Sequence, residues 1–143
     1  MAYSTQTDLS NAVGEPVLIK LTNDTGGKSV DTDVLSAIIA DVDDEIDSYL
    51  RNRYTLPLTR STPGMINRIA VAMGVYYLYT RRPNIAGLPQ MVKDNHDKVM
   101  GQLQKISSGH INPNITEPGD DRIFVTNKAS TDRKFTTTEL NKY

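Results

Sequence analysis

The sequence predicts an all-α fold: a small bundle of three main helices, preceded by short N-terminal helices and followed by an extended C-terminal arm that contains short β segments. Three observations lead to this prediction. Apolar residues recur at spacings of three and four along three long segments, residues that favour helix starts precede those segments, and prolines and glycines interrupt the pattern after residue 109. The chain therefore divides into a helical domain, residues 1–109, and an arm, residues 110–143.

The composition is that of an ordinary single-domain protein, and it excludes several kinds of chemistry. The 143 residues carry 16 basic and 17 acidic side chains, so no overall positive charge attracts the chain to nucleic acid. The absence of cysteine excludes zinc–thiolate sites, iron–sulfur clusters and cysteine nucleophiles. Neither His96 nor His110 has a serine placed by the sequence to form a nucleophile pair. We expect no catalytic activity, no cofactor and no bound metal.

The sequence also gives no sign of a membrane segment. The longest apolar run, from Ile69 to Tyr79, falls short of the roughly 20 residues that span a bilayer. The first residues lack the basic and apolar segments of a signal peptide. We expect synthesis in the cytoplasm and no membrane partner.

Two short helices are predicted before the first long one. Thr5 and Asp8 have the spacing of a capping box, and Gly14 suits the position that follows a helix end. Pro16 favours a second short helix, because proline is well tolerated in the first helical turn. The short apolar run after Pro16 would also suit a strand. Residues 23–29 then form a loop.

The first long helix is predicted from Asp31 or Thr32, either of which suits an N-cap, to about Arg53. Its apolar residues return every three or four positions. Arg51 and Arg53 fall in its last turn, where the negative end of the helix dipole favours positive charge. Pro57 marks the stop.

Two further long helices follow. Ser61 or Thr62 caps the second, with a proline in its first turn. This helix ends at Arg81 and is apolar on almost every face, so we expect it to be the central helix. The third begins at Pro89 and closes before Gly109, and its narrow apolar stripe predicts an outer helix.

Acidic side chains cluster within the first long helix, at Asp41, Asp43, Asp44, Glu45 and Asp47. The glycine and glutamate positions that a calcium-binding EF-hand loop requires are absent. We predict a solvated, mutually repelling face. The functional alternative is electrostatic: a negative face toward basic residues of a partner, or one that repels DNA.

Four arginines lie at two predicted helix ends: Arg51 and Arg53 at one, Arg81 and Arg82 at the other. They compensate the helix dipoles and form surface ion pairs, or they converge on a partner, since arginine is enriched in interfaces. The tyrosines, Tyr54 among them, are predicted mainly in the core and at its rim, and any exposed one would be an interface anchor.

The stretch that ends in Gly27-Lys28-Ser29 resembles a phosphate-binding loop only in part. That motif requires a glycine where this chain has Thr22, and a helix that begins at the Lys-Ser pair. We predict a solvent-exposed loop. Two alternatives from other functional classes stay open: a nucleotide-binding protein that uses this loop, and a small helical DNA-binding regulator.

The arm, residues 110–143, is polar and interrupted by proline. Ile123-Phe124-Val125 predicts a short strand, and Phe135 is a second isolated aromatic residue. A polar segment that keeps such side chains is typical of chains that become ordered against a partner. We therefore expect Phe124, Val125 and Phe135 to anchor the arm to another protein.

Three segments carry a resemblance by their order and spacing. They are Ile46-Asp47-x-Tyr49-Leu50-x-x-Arg53-Tyr54-x-Leu56-Pro57-Leu58, Ala72-x-x-x-Tyr76-x-Leu78-Tyr79-x-Arg81-Arg82, and the ending Arg133-Lys134-Phe135-Thr136 with Leu140-x-x-Tyr143. Together they resemble the Mu-like bacteriophage head–tail connector family, and the likeness extends over nearly the whole chain.

The resemblance implies a structural adaptor of the virion neck without catalytic residues. Copies, about twelve by resemblance, form a closed ring between the portal protein and a tail-completion protein of the stopper or tail-terminator kind. DNA passes through the channel without sequence-specific binding. The expected partner-binding residues are Arg51, Arg53, Tyr54, Arg81, Arg82, Phe124, Val125 and Phe135. The acidic residues Asp41, Asp43, Asp44 and Asp47 are expected to face the channel or a subunit boundary.

Overall fold

The computed structural model describes residues 2–58, 62–82, 84 and 87–115, and these residues form a bundle of α-helices. In chain order the helices are α1 (Gln6–Val13), α2 (Glu15–Thr22), α3 (Thr32–Leu50), α4 (Gly64–Arg81) and α5 (Gln90–Ser107). No strand occurs among the described residues, so the all-α prediction is confirmed for them. The predicted β segment at 123–125 lies outside the described residues, as does the arm beyond Ile115.

The two short helices form as the local sequence predicts. Thr5 caps α1: its Oγ1 accepts from the Asp8 N–H at 3.2 Å, and the Asp8 carboxylate accepts from the Thr5 N–H at 2.9 Å. Gly14 has φ +82°, ends α1 and begins α2, so one glycine makes the turn between them. Residues 15–22 are helical, which settles the choice between helix and strand.

Helix α3 begins as predicted and ends three residues early. The Asp31 side chain caps it by accepting from two backbone N–H groups of the first turn. The predicted end at Arg53 is wrong, because the Arg53 and Tyr54 N–H groups both turn back onto the Leu50 carbonyl at 2.9 Å. This tight turn brings Tyr54 and Leu58 into the core. Burial of these two apolar side chains therefore outweighs continuation of the helix.

The start of α4 also differs from the prediction. Its first helical residue is Gly64, so the N-cap position falls on Pro63, and no side chain caps this helix. Thr62 therefore lies one residue too early to act as the cap, and Ser61 lies outside the described residues.

Helix α4 is central, as its apolar faces predicted. It packs against each of the other four helices. Gly74 permits the close approach of α1, because a Cβ atom there would lie 2.9 Å from Cδ2 of Leu9. The side chains of α4 that are buried are Ile66, Ile69, Ala70, Ala72, Met73 and Leu78.

Helix α5 lies on the outside, also as predicted. Its buried stripe consists of Val99, Leu103 and Ile106. Tyr76, near the end of α4, stacks on His96, near the start of α5, with ring centroids 3.9 Å apart. The two helices therefore run antiparallel. In the part of the chain that is described, no helix is long and apolar enough to cross a membrane.

Candidate functional site

The acidic residues of α3 hold the beginning of the chain in place. Tyr3 is 1% exposed, and its N–H donates to Oδ1 of Asp43 at 2.9 Å. Its hydroxyl donates to the carboxylate of Asp47. On the other side, the Asn67 side chain of α4 donates to the Tyr3 carbonyl at 2.9 Å. Tyr3 thus connects two long helices, a role that sequence periodicity does not reveal.

A second tyrosine donates a hydrogen bond to another carboxylate of the same acidic cluster. The Tyr77 hydroxyl of α4 donates to the carboxylate of Glu45, and both side chains are half-buried. The predicted solvated face is therefore wrong for Asp43, Glu45 and Asp47, because tyrosines from elsewhere in the chain cover them. Asp41 and Asp44 are exposed, as predicted.

Burial beside these carboxylates changes the proton affinity of the tyrosines. Desolvation, followed by the hydrogen bond to Asp47 and its negative charge, raises the pKa of Tyr3 well above 10. Desolvation and the hydrogen bond to Glu45 likewise raise the pKa of Tyr77 well above 10. Burial also raises the pKa of Asp43, against the opposing hydrogen bond from the Tyr3 N–H. The arrangement therefore favours neutral tyrosines as hydrogen-bond donors.

Two of the predicted partner-binding arginines meet at one end of the bundle. Arg81 and Arg82 both contact Asp24, with Arg82 Nη2 at 2.8 Å from its Oδ1. Arg81 also donates to the Leu21 carbonyl at 3.2 Å, and Arg82 donates to the Asn23 carbonyl at 2.9 Å. The hydrogen bond from Arg81 and the charges of both arginines hold the pKa of Asp24 below its usual range. These arginines thus attach the C-terminal end of α4 to the loop after α2.

The structure does not bring all four arginines together. The Arg53 guanidinium lies against Gly109, just beyond the C-terminal end of α5. Because α4 and α5 are antiparallel and α5 is about 27 Å long, Arg53 and the Arg81–Arg82 pair belong to opposite ends of the bundle. Arg51 is exposed on the turn after α3.

Tyr54 is placed in the core, where most of the tyrosines were predicted to lie. It is 8% exposed, and its hydroxyl oxygen has no hydrogen-bond partner among the residues that the structure describes. Phe124, Val125 and Phe135 lie outside the described residues. The partner contacts expected of all these side chains stay predictions.

The contact between Arg53 and Gly109 leads to a mutational prediction. Gly109 has φ +81°, and a Cβ atom there would lie 1.9 Å from Nη1 of Arg53. We expect Gly109→Ala to lower the free energy of unfolding by about 2 kcal/mol, because the left-handed conformation disfavours alanine and the guanidinium must move. Urea denaturation measures this change.

The matched control for that substitution is Gly101→Ala. Gly101 lies inside α5 with open space where a Cβ atom would be. Alanine at this position is expected to stabilise the protein by up to about 1 kcal/mol, through its higher helix propensity. Equal effects of the two substitutions would contradict the role assigned to Gly109.

The loop that ends in Gly27-Lys28-Ser29 is closed by Asn23. Oδ1 of Asn23 accepts from the N–H groups of Thr25, at 3.0 Å, and Gly27, at 2.8 Å, while its Nδ2 donates to the Ser29 carbonyl at 3.0 Å. A phosphate-binding loop needs such N–H groups free to bind the ligand. The following helix also begins with the negative cap Asp31. This geometry gives no support to the nucleotide-binding alternative.

The two histidines have different partners: His96 packs on a tyrosine, whereas Nδ1 of His110 lies 2.8 Å from Oγ of Ser108, a serine–histidine contact that was not predicted. His96 stacks on Tyr76 with the rings inclined by 19°, and its Nδ1 lies 3.6 Å from Oδ1 of Asp97. Within the described ranges, no group of three potential ligands lies close enough together to hold a metal ion. The stack contributes to the contact between α4 and α5.

A groove of about 960 Å³ lies between α1, α4 and α5. Apolar side chains from all three helices line it, together with charged and amide side chains. At one end is Met91, which is 81% exposed. The sequence did not predict this feature, because it depends on where α1 lies relative to α5. The apolar lining consists of Ala12, Met65, Val71, Ala72, Val75, Met91, Val92 and Val99.

Comparison with known proteins gives one informative result. No curated protein matches the chain. Residues 3–123, however, match the profile of a family described as bacteriophage Mu, Gp36. The matched range includes all five helices, the tyrosine–carboxylate contacts, both groups of arginines and the groove. Since the match extends over most of the sequence, the chain belongs to the bacteriophage Mu Gp36 family.

Proposed function

We propose that this protein is a structural head–tail connector, or adaptor, of a tailed bacteriophage. Its copies form a ring in the virion neck, between the portal protein and the tail-completion proteins, and the ring surrounds the DNA channel. The observation that carries the proposal is the match to the phage family over residues 3–123. That match supports a phage structural or assembly protein, and the resemblance carried by the order and spacing of the three segments is what supports the connector role in this proposal.

The hydrogen bonds that join α3 to α4 fit a structural protein that packs against other subunits of an assembly. Tyr3 connects α3 to α4, and the Tyr77–Glu45 contact joins the same two helices at a point about three turns further along α4. Hydrogen bonds to charged groups are stronger than those between neutral groups, so these contacts give the two helices a fixed relative position. Copies of a body held in this way can repeat around a ring without changing shape.

The exposed face of α3 suits a surface that lies beside DNA or a neighbouring subunit. Asp41 and Asp44 are exposed there, among small side chains at Ser36, Ala37 and Ala40. Negative charge at this face repels phosphate groups, so DNA passes without adhering.

The proposal is tested in phage particles that lack the protein. A nonsense mutation in its gene is expected to yield DNA-containing heads and separate tails that do not join, and a plasmid copy of the gene should restore attachment. Cryo-electron microscopy of complemented virions should then show a ring, of about twelve copies, directly below the portal. Normal infectious particles in which mass spectrometry finds no such chain would refute the proposal.

Two charge-neutralising substitutions test the exposed acidic residues of α3 alone. The pair Asp41→Asn and Asp44→Asn is expected to leave the fold intact, because both side chains are exposed. Infectious titre in the complementation assay should fall on the order of tenfold, the change that a modest loss of interface affinity produces. The pair Glu15→Gln and Asp97→Asn removes the same two charges from other helices and serves as the control. Equal titres for the two pairs would remove the face from the proposed contact.

A further inference from the structure

The groove between α1, α4 and α5 starts at the end of the bundle where the chain leaves α5. Two of its lining residues, Met65 in the first turn of α4 and Gln102 near the end of α5, mark this end. They lie at one end of the helix pair because α4 and α5 run antiparallel. The chain therefore emerges from α5 next to an open, partly apolar surface, and surfaces of this kind mark contact sites.

Exposed basic side chains surround the same exit. Arg53 lies against Gly109, Arg51 is on the same turn after α3, and Lys105 is in the last turn of α5. No carboxylate of the described residues forms an ion pair with any of these three side chains. The C-terminal ends of α3 and α5 favour positive charge there, and the side chains stay open to an acidic partner.

The segment after Ile115 carries the complementary groups in the order in which it would meet these two surfaces. Its first charged side chains form an acidic run, Glu117, Asp120 and Asp121. The apolar run Ile123-Phe124-Val125 comes next. A segment that leads from the exit to the groove therefore brings negative charge to the basic side chains before it brings apolar side chains to the groove floor.

The distances favour a groove on the same subunit. Ile115 packs on the core of its own chain, so the segment starts from a fixed point. Val99 of the groove floor lies ten residues before Gly109, about 15 Å along α5. From Ile115 to Phe124 is nine residues, about 30 Å when extended, which is enough to reach that floor. A site within such reach is presented at an effective concentration of about 1 mM, far above that of second copies in dilute solution.

We propose that the C-terminal segment folds back on its own subunit. The acidic run contacts the basic side chains at the exit, and Ile123-Phe124-Val125 lies on the apolar floor of the groove. The contact lies within one chain, goes beyond the connector role and does not depend on it. In the isolated subunit it covers the groove and the exposed arginines, so it has to open before either surface binds another protein.

Cysteine cross-linking within the full-length chain tests the proposal, because the natural chain has no cysteine. Lys98→Cys places a thiol at the groove, at an exposed position. Thr126→Cys places a second thiol directly after the apolar run, which stays intact. Oxidation of this double variant in dilute solution should give an intrachain disulfide, which mass spectrometry of the digested protein identifies.

The matched control moves the first thiol from the groove to α3, in the double variant Ser48→Cys/Thr126→Cys. Ser48 is exposed and lies five residues before Arg53, whereas Lys98 lies eleven residues before Gly109. A tethered segment that binds nowhere would therefore reach position 48 at least as often as position 98. We expect the disulfide at the groove to form roughly tenfold faster than the disulfide at α3.

Two results would overturn the proposal. Equal rates for the two double variants would show that the segment has no preferred site on its subunit. A disulfide between the single variants Lys98→Cys and Thr126→Cys, mixed in dilute solution and formed as fast as the intrachain one, would place the segment on a second copy.

Substitutions in the apolar run test the groove contact separately. Added to the double variant Lys98→Cys/Thr126→Cys, Phe124→Asp should slow the intrachain disulfide on the order of tenfold, while Phe124→Leu, which stays apolar, should keep its rate. The same rate with Asp and with Leu at this position would contradict burial of the apolar run in the groove.

Charge reversal tests the acidic run. In the same double variant, Arg51→Glu/Arg53→Glu should slow the disulfide several-fold, and added Asp120→Arg/Asp121→Arg should restore its rate, because the opposite charges are paired again. The control Lys20→Glu/Lys93→Glu reverses two exposed charges on other helices and should leave the rate unchanged. Slowing without restoration would show damage to the fold at Arg53 and would count against the charge contact, as would equal slowing by the control.

Discussion

Replacing Tyr3 with alanine is expected to lower the free energy of unfolding by about 3–5 kcal/mol, the range for loss of a large buried aromatic side chain. Tyr3 is 1% exposed and belongs to the core formed with α3 and α4. Its removal leaves a cavity and also leaves Asp47 without its donor. Urea denaturation followed by circular dichroism measures the loss.

Two conservative substitutions separate packing from hydrogen bonding. Tyr3→Phe keeps the ring and removes the donor to the Asp47 carboxylate, so a loss of about 1.5–3 kcal/mol is expected. Tyr54→Phe removes a buried hydroxyl that has no partner among the described residues, so its stability should stay equal or rise slightly. If both variants lost the same stability, the hydrogen bond of Tyr3 would have no special role.

The second large effect is expected in alkaline solution. Burial and carboxylate contacts raise the pKa of both Tyr3 and Tyr77 in the folded state above the ordinary value of 10. The unfolded chain therefore releases these protons first as the pH rises. The stabilisation is complete below pH 10 and is lost as the pH rises toward the folded-state pKa values. For each tyrosine the slope is about −0.7 kcal/mol per pH unit at pH 10, where the unfolded side chain is half ionised, and it approaches about −1.4 kcal/mol per pH unit at higher pH.

The double variant Tyr3→Phe/Tyr77→Phe isolates this contribution. It lacks both hydroxyl groups, so its stability should fall less steeply between pH 10 and 11 than that of the natural protein. Urea midpoints at pH 8, 10 and 11 give the comparison. The double variant is less stable at pH 8, and the test is therefore the slope and not the absolute value. An unchanged slope would mean that other groups cause the alkaline loss.

Local signals in the sequence were sufficient for most of the fold. The capping box at Thr5 and Asp8, and the cap at Asp31, depend on residues three positions apart or fewer. The central position of α4 follows from its apolar faces. Such features are decided within one or two turns of chain, which is why periodicity and composition predict them.

The features that were missed depend on distant residues. The end of α3 was placed too late because burial of Tyr54 and Leu58 decides where the helix stops. The acidic cluster was predicted to be solvated because no local pattern reveals that Tyr3 and Tyr77 cover it. The groove likewise arises only after three helices have packed together.

Tyr3 joins the beginning of the chain to residues 40, 44 and 64 positions further along. Each bond closes a loop, and the entropy lost in closure grows only with the logarithm of loop length. Once the first of the three bonds has formed, the other two add their energy with little further loss of chain entropy. The three contacts should therefore act cooperatively, and we expect the first residues to detach from the bundle in one step.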